Sequence, residues 1–332
     1  MLRYVVHRLI IMIPTLLAIS LITFIIIQLP PGDYLESYIA ELQAQGESIQ
    51  SEKIEYLRRT YGLDKPWWQQ YLIWMGGLLQ GDMGFSFAYD LPVSQIVGDR
   101  IFLSFVVSFA AILFIWAVSF PIGIYSATHQ YSAGDHALSF IGYLGLATPN
   151  FLLALVLLYF ANVYFGVSVG GLMDPHYLEE PMSVGKFGSI LSHLIVPVVV
   201  IGTAGTAGMI RRMRANLLDE LQKPYVVTAK AKGLSPFRAL CKYPLRMALN
   251  PFIADIGSLL PSIISGEVIV STILSLPTTG PMLLEALRTQ DMYLAGSFLM
   301  LLAALTVVGM LISDLALAAL DPRIRFEAGQ GR

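Results

Sequence analysis

The sequence has little cysteine and little charge. Its 332 residues include one cysteine, Cys241, and Asp, Glu, Lys and Arg together make up 13% of the chain. A lone cysteine excludes an internal disulfide framework and cannot form a metal site by itself. A soluble domain carries roughly a quarter charged residues, so a chain that is 55% hydrophobic indicates a polytopic membrane protein.

Recognisable catalytic groups are also missing from the sequence. The five histidines are scattered, and no two of them are four residues apart beside an acidic partner. The glycines at 202, 205 and 208 lie within an apolar run, where they favour close helix packing over phosphate binding. We therefore expect no enzymatic activity, no ATP hydrolysis by this chain, no cofactor or metal bound to it, and no nucleic-acid partner.

Six apolar runs are long enough to cross a bilayer, which takes about 20 residues in a helix. They span residues 9–29, 101–128, 137–165, 190–210, 249–276 and 294–320. Prolines lie within several of them, and in lipid only neighbouring helices or a water-lined cavity can satisfy the carbonyl groups that a proline frees. We therefore predict an all-α fold in which six transmembrane helices pack as a bundle around a pathway.

Lys and Arg are distributed unevenly between the loops. Residues 211–246 hold nine of them against two acidic residues, whereas residues 30–99 hold four against ten. Cytoplasmic loops retain positive charge, so we predict that 211–246 and both termini are cytoplasmic. The segments 30–99, 166–189 and 277–293 are then extracytoplasmic.

This topology divides the chain into four parts. No small-residue cleavage site follows the first apolar run, so we expect a membrane helix there and not a signal peptide. Helical periodicity within the long outer loop predicts short helices at 35–45 and 52–60. The parts are a first transmembrane helix at 1–29, a long extracytoplasmic loop with short helices at 30–99, a core of five transmembrane helices at 100–322 and a cytoplasmic tail at 323–332.

Four aromatic residues, Trp67, Trp68, Tyr71 and Trp74, cluster near the end of the outer loop. Aromatic side chains of this kind concentrate at the level of the lipid headgroups. An interfacial re-entry of the chain therefore explains them at least as well as contact with a substrate does.

The basic loop at 211–246 contains clear signals for the start and end of helices. A helix is predicted to continue from Arg211 to Leu221, and Pro224 ends or restarts it. Residues 225–232 favour a helix, and Gly233 suits its C-terminal cap. A second short helix is predicted at 236–245, because proline is tolerated in a first turn. The loop therefore reads as two short helices that lie across a membrane surface.

Three acidic residues lie inside predicted membrane helices, where ionisable groups are costly and often functional. Asp255 and Asp314 fall near the cytoplasmic interface, and we predict that they pair with Arg246 or Arg323. Glu267 lies deeper, so we expect it to line a cavity. A polytopic enzyme would need clustered acids, histidines or a serine–lysine pair at this depth, and a mere scaffold would need no ordered basic loop.

At this point the chain resembles the integral-membrane permease subunits of bacterial ABC importers for oligopeptides and dipeptides. The most specific match is Tyr225–Val226 followed by residues 228–235, which is similar to the cytoplasmic loop shared by ABC import permeases. The other matching stretches cover nearly the whole chain and are 8–9, 31–33, 61–66, 70–71, 81–86, 92–93, 149–151, 314 and 320–325.

The resemblance implies a type I ABC importer permease fold in the bacterial inner membrane, with a coupling helix that sits in a groove of an ATPase subunit. It also implies a heterodimer with a second, homologous permease, two ATPase subunits that bind ATP and Mg²⁺, and an extracytoplasmic solute-binding protein. The coupling residues that it indicates are Tyr225, Thr228, Ala229, Lys230, Lys232, Gly233 and Leu234.

The chain departs from the family pattern mainly at the outer end of the fifth apolar run. The family usually has Pro-Gly-x-Gly where residues 277–280 read Pro-Thr-Thr-Gly, and a Glu where Ser271 stands. These departures keep oligosaccharides open beside peptides as the substrate, and nickel is the least favoured because no histidine or carboxylate cluster offers a site. The residues expected along the pathway are Pro149, Asn150, Glu267, Ser271, Thr278 and Thr279.

Overall fold

The computed structural model of the chain describes residues 2–29, 59, 64–86, 88–166, 169–177, 180–181 and 183–320. The helices predicted at 35–45 and 52–60 and the tail predicted at 323–332 lie outside these residues, apart from Arg59. The described part is almost entirely helical, and its strands form a single short hairpin. The all-α prediction is therefore confirmed.

The elements are numbered in chain order, and a short 3₁₀ turn lies at Pro175–Tyr177. The hairpin is antiparallel, with Phe85 opposite Pro92 and Ser86 opposite Leu91. The bounds are α1 Leu2–Gln28, α2 Trp67–Leu79, β1 Phe85–Ser86, β2 Leu91–Pro92, α3 Val93–Thr128, α4 Ala133–Ala147, α5 Asn150–Phe165, α6 Val184–Leu221, α7 Pro224–Ala231, α8 Pro236–Lys242, α9 Pro244–Ala248, α10 Asn250–Gly266, α11 Val268–Ile273, α12 Thr279–Arg288 and α13 Met292–Leu320.

These elements form two compact units, each with its own packing. The first comprises Met1–Leu103 with Thr278–Val308, and the second comprises Ser104–Pro277 with Gly309–Arg332. The hairpin belongs to the first unit. The basic loop at 211–246 belongs to the second.

Four helices of the described chain are long and apolar enough to cross a membrane by themselves: α1, α3, α6 and α13. A fifth crossing is available if α4 and α5, which meet at a bend of 98°, act as one broken span. Thr148 is extended at this bend, and Pro149, which has no N–H, precedes α5. Because a residue before proline is disfavoured in a helix, the interruption predicted at 148–150 forms as expected.

The predicted count of six crossings is not confirmed. The run at 249–276 is divided into α10, with 17 residues, and α11, with 6, and Glu267 lies between them. Neither half reaches the roughly 20 residues that a single helical crossing requires. The sixth crossing therefore stays a prediction for this broken stretch.

The aromatic cluster of the first unit divides into an exposed pair and a packed pair. Trp67 and Trp68 are exposed, in keeping with a position among lipid headgroups. Trp74 is buried, and its Nε1 donates to the hydroxyl of Ser297 on α13 at 3.3 Å. Phe24 of α1 lies 5.8 Å from the Trp74 ring, centre to centre. Trp74 thus packs α2 against α1 and α13.

The hairpin is held on the first turn of α13 by a buried carboxylate. Asp291 Oδ1 accepts the N–H of Leu294 at 3.0 Å and so caps the helix. Its Oδ2 accepts the hydroxyl of Ser86 at 2.6 Å. Gly84 has φ +83°, and a side chain there would collide with the ring of Tyr293. The glycine therefore allows both the turn and the close approach.

In the second unit, α6 packs against α4, α5 and α9. Its glycines also allow α3 to approach closely, because a Cβ at Gly202 would collide with Phe114 and one at Gly205 would lie 2.7 Å from Ile115. Ser119 of α3 donates to the carbonyl of Thr206 at 3.2 Å. Small residues give helices in lipid this kind of contact. The packing role predicted for these glycines is confirmed for Gly202 and Gly205.

Two glycines let α10 and α13 approach closely in this unit. A Cβ at Gly257 would overlap the backbone of Gly309, so no side-chain motion can make room for it. The N–H of Gly257 lies 2.7 Å from the hydroxyl of Ser313, which accepts its hydrogen bond. This crossing therefore depends on a glycine in each helix.

We predict that Gly257→Ala destabilises the protein by about 1–3 kcal/mol or more, because the added methyl group forces the two backbones apart. The measurement is the thermal unfolding midpoint of the purified protein in detergent. Gly208→Ala is the matched control, since a Cβ at Gly208 meets nothing within 4 Å. Equal midpoints for the two variants would contradict this account of the crossing.

Candidate ATPase-coupling surface

The segment after α6 restarts as a helix because of its local sequence. Pro224 occupies the first position of α7, where a missing N–H costs nothing. The hydroxyl of Thr228 donates to the carbonyl of Pro224 at 3.0 Å. Val226 and Ala229, three residues apart, are buried, whereas Val227 is 63% exposed. One face of α7 is therefore packed on the protein and the other is open.

The end of α7 is a Schellman motif. The N–H of Leu234 donates to the carbonyl of Ala229 at 3.3 Å, and the N–H of Gly233 donates to that of Lys230 at 2.9 Å. Gly233 has φ +85°, the left-handed conformation that this motif requires. The cap predicted at Gly233 is therefore present, and it gives α7 a fixed end.

The helix predicted at 236–245 is wrong in its length. It forms as α8, which ends at Lys242, followed by α9, which begins at Pro244. Tyr243 stands between them with φ −122° and ψ −76°, outside the helical region. Pro244 disfavours a helical conformation at the residue before it, and this local effect was overlooked in the predicted continuous helix.

Tyr225 links α7 back to the end of α6. Its hydroxyl donates a hydrogen bond to Glu220 Oε2. Burial of the phenol, and then its bond to the Glu220 carboxylate, raise the pKa of Tyr225 to about 12. The phenol is therefore neutral throughout the physiological range, and the hydrogen bond between the two helices persists there.

An apolar surface with lysines surrounds α7. Val227 and Phe237, on α7 and α8, are 63% and 74% exposed. Lys230 and Lys232 are both exposed beside them, at the end of α7. A groove of about 600 Å³ lies between Lys230, Phe237 and the end of α3. Exposed apolar residues within a charged rim are typical of a protein docking surface.

Two arginines fix the end of α6 to other helices of the same unit. Arg212 Nη2 lies 2.6 Å from Asp255 Oδ2 on α10. Arg214 Nη2 lies 3.1 Å from Asp135 Oδ2 on α4, and Asp135 is 3% exposed. These contacts join the helix that leads into α7 to both α4 and α10.

Asp255 pairs with Arg212, whereas the sequence had predicted Arg246 or Arg323. Arg246 makes no ion pair with the described residues, and Arg323 lies outside them. α6 continues as a helix beyond the apolar run, which brings Arg212 beside α10. The sequence did not lead us to predict a role for Asp135. The residue that could have indicated it is Ser132, three positions earlier. The Ser132 hydroxyl accepts the N–H of Asp135 at 3.1 Å, as in a capping box.

The residues expected along the pathway fall at the breaks in the helices. Pro149 and Asn150 lie at the bend before α5. Glu267 and Ser271 are fully buried and lie one helical turn apart, where the Ser271 N–H donates to the Glu267 carbonyl at 2.8 Å. α11 packs against α5, which brings these two broken helices into contact.

Thr278 and Thr279 belong to the first unit, where they begin α12. Thr278 precedes the helix in an extended conformation, and both threonines are fully buried. Buried polar residues therefore occur at the start of α12 as well as at the break before α11.

Comparison with protein families identifies the chain. Residues 119–326 match the model described as "Binding-protein-dependent transport system inner membrane component", and residues 1–110 match that of the corresponding N-terminal region. The chain belongs to this permease family. The resemblance found in the sequence is thus confirmed, and the protein is a multi-pass inner-membrane transport permease and not an enzyme.

Named relatives of this permease match it from end to end. The oligopeptide transport system permease protein AppB of Bacillus subtilis is 33% identical over 328 residues, which cover 98% of this chain and 100% of the relative. The dipeptide transport system permease protein DppB of Escherichia coli K12 is 29% identical, with 98% and 99% of the two chains covered. Both relatives therefore share its full length.

A solved structure supports the fold of the permease. A chain of the inward-facing MetNI methionine ABC transporter superposes with a TM-score of 0.52 at 14% identity, over 68% of this chain and 97% of that chain. At this identity the likeness concerns the fold alone. It supports the ABC importer permease fold that the resemblance implied.

We predict that Arg214→Gln lowers the free energy of unfolding by about 2–3 kcal/mol, because it leaves the Asp135 carboxylate buried without its cation. Removing one partner of a buried pair costs roughly 3–5 kcal/mol, and the partial exposure of Arg214 reduces this. Thermal unfolding in detergent measures the loss, and adding Asp135→Asn should restore part of it.

Arg246→Gln serves as the control for that prediction. Arg246 is exposed and makes no ion pair with the residues that the structure describes. Its replacement should change stability by no more than about 0.5 kcal/mol. An Arg214→Gln variant as stable as this control would show that the pair with Asp135 adds little.

Proposed function

We propose that this permease is one of two membrane subunits of an importer that carries oligopeptides into the cell. The names of the full-length relatives AppB and DppB, which specify oligopeptides and dipeptides, support this substrate class. The oligosaccharides left open by the departures at 271–280 have no such support. Substrate selection then rests mainly with the solute-binding protein, and the permease provides half of the pathway.

The partners follow from the same proposal. A second, homologous permease completes the pathway, two ATPase subunits bind ATP and Mg²⁺, and an extracytoplasmic binding protein delivers the peptide. Both termini and the basic loop at 211–246 face the cytoplasm, in keeping with the positive-inside rule. The ATPases therefore meet the permease at α7 and α8.

α7 carries this proposal most directly. Its start is fixed by Pro224 and its end by the Schellman motif at Gly233, so it is a short helix with two defined ends. Its open face presents Val227 and the neighbouring lysines, whereas Val226 and Ala229 hold it on the protein. A helix with these properties transmits force from an ATPase groove better than a flexible loop does.

The contacts of α6 would transmit a displacement of α7 to other helices. Tyr225 binds Glu220 at the end of α6, so α7 and α6 move together. Arg214 and Arg212 then tie α6 to α4 and α10, which continue into the broken helices α5 and α11. Displacement of α7 by the ATPases is thereby passed to the helices that hold the proposed pathway residues Asn150, Glu267 and Ser271.

We predict that Gly233→Val abolishes peptide uptake and weakens ATPase binding, while membrane insertion is unaffected. A Cβ at Gly233 meets no atom of this chain within 4 Å, so within the permease the variant acts through the left-handed backbone, which costs an L-residue about 1–2 kcal/mol. Gly233→Asn should keep much of the activity, because asparagine tolerates this conformation. Proteoliposome uptake and ATPase co-purification are the measurements.

Gly166→Val is the matched control for Gly233→Val. Gly166 also caps a helix with a positive φ, +62°, and has no atom within 4 Å of an added Cβ, but it ends α5. Its replacement should leave the co-purified ATPase unchanged. If the Gly233→Val complex retained its ATPases and imported peptide normally, α7 would not be the coupling helix.

The substrate class is tested separately, with the complete importer in proteoliposomes and its own binding protein outside. We expect ATP-dependent accumulation of labelled peptides of two to five residues and none of labelled oligosaccharides of similar mass. The reverse preference would contradict the peptide assignment without affecting the assignment of α7.

A further inference from the structure

We propose that the permease has a binding site for the headgroup of an anionic phospholipid between α4 and the end of α6. A cavity of about 440 Å³ lies there, within the second unit. Cavities of roughly 300–1,000 Å³ are of the size that holds small ligands. Its polar lining includes Tyr131, Asp135, His136, Tyr143, Arg211 and Arg214.

The net positive charge of the lining favours binding of an anion. Arg214 is neutralised by Asp135 at 3.1 Å. Arg211 is exposed, its guanidinium carbon lies 5.8 Å from the centre of the Tyr143 ring, and no carboxylate of the described residues pairs with it. The cavity therefore has one uncompensated positive charge, held in place over an aromatic ring.

The lining combines polar and apolar groups. α4 and α6 run antiparallel here, because Asp135 contacts Arg214 at one end while Gly142 lies beside Ile210 and Ala207 towards the other. The Arg211 guanidinium lies over Tyr143, next to Gly142, so this positive charge adjoins small and aliphatic residues of the lining. A phospholipid likewise carries a charged phosphate group and hydrocarbon in one molecule.

The surroundings of the cavity favour a lipid over a soluble anion. Phe140, Ile141 and Leu144, on the same helix as the lining residues of α4, are 62%, 62% and 52% exposed. Apolar side chains beside the cavity need cover from lipid or from the second permease, and we take lipid as that cover. Basic pockets between membrane helices on the cytoplasmic side bind anionic headgroups, and the orientation proposed above places this one in the inner leaflet.

The test is native mass spectrometry of the complete importer in detergent, titrated with phosphatidylglycerol or with phosphatidylcholine. We expect phosphatidylglycerol to bind at least about tenfold more tightly. Arg211→Gln should weaken it by roughly tenfold, the effect of one lost charge-assisted contact. Ser139→Leu, which narrows the cavity without changing its charge, should weaken it comparably, and size-exclusion chromatography confirms that each complex is intact.

Arg246→Gln is the control, since it removes an exposed arginine of the same basic loop that does not line the cavity. It should change the affinity by less than about twofold, because only a general attraction to anionic lipid is lost. If Arg211→Gln matched this control, or if Ser139→Leu had no effect, the site would be overturned.

Two further outcomes are decisive. Displacement of phosphatidylglycerol by millimolar glycerol 3-phosphate would mean that the cavity binds a soluble phosphate and not a lipid. An assembled importer that retained no phosphatidylglycerol at any concentration would mean that another subunit covers the cavity. Either result would overturn the lipid proposal, whereas persistence of the bound lipid against glycerol 3-phosphate would support it.

Discussion

The need to satisfy every backbone N–H and carbonyl group away from water governs this structure. A regular helix meets that need by itself, and α1, α3, α6 and α13 are long runs of that kind. A break in a helix meets it only when the freed groups are buried in protein. The break at Glu267 follows this rule, because Glu267 is fully buried and α11 packs against α5. Pro149, at the other break, is exposed. The constraint thus accounts for the buried polar residues at the break before α11.

Features that depend on the local backbone could be predicted from the sequence. The start and end of α7 are set locally, because Pro224 and Gly233 each fix the conformation of their own backbone. The bounds of α7 could therefore be predicted closely. The bend at Thr148–Asn150 could be predicted for the same reason. The break between α8 and α9 had an equally local signal in Pro244, and the prediction failed by overlooking the conformation that this proline imposes on Tyr243.

Long-range pairings could not be predicted in this way. Asp255 pairs with Arg212, a choice that depends on how far α6 continues as a helix and on how α10 lies beside it. Asp135 had only a capping signal, and its pairing with Arg214 arises from the packing of α4 against α6. Both pairs join elements that are distant in sequence. The residues expected along the pathway share this difficulty, since their surroundings depend on tertiary packing.

The carboxylate of Asp291 has a consequence for how the permease responds to a protein that binds at the hairpin. One oxygen caps α13 and the other holds Ser86 of the hairpin, so the hairpin and the first turn of α13 share a single anchoring group. A protein that pushes or pulls on the hairpin therefore acts on the end of a membrane helix as well. Through this anchor, a force applied to the hairpin is transmitted to the first turn of α13.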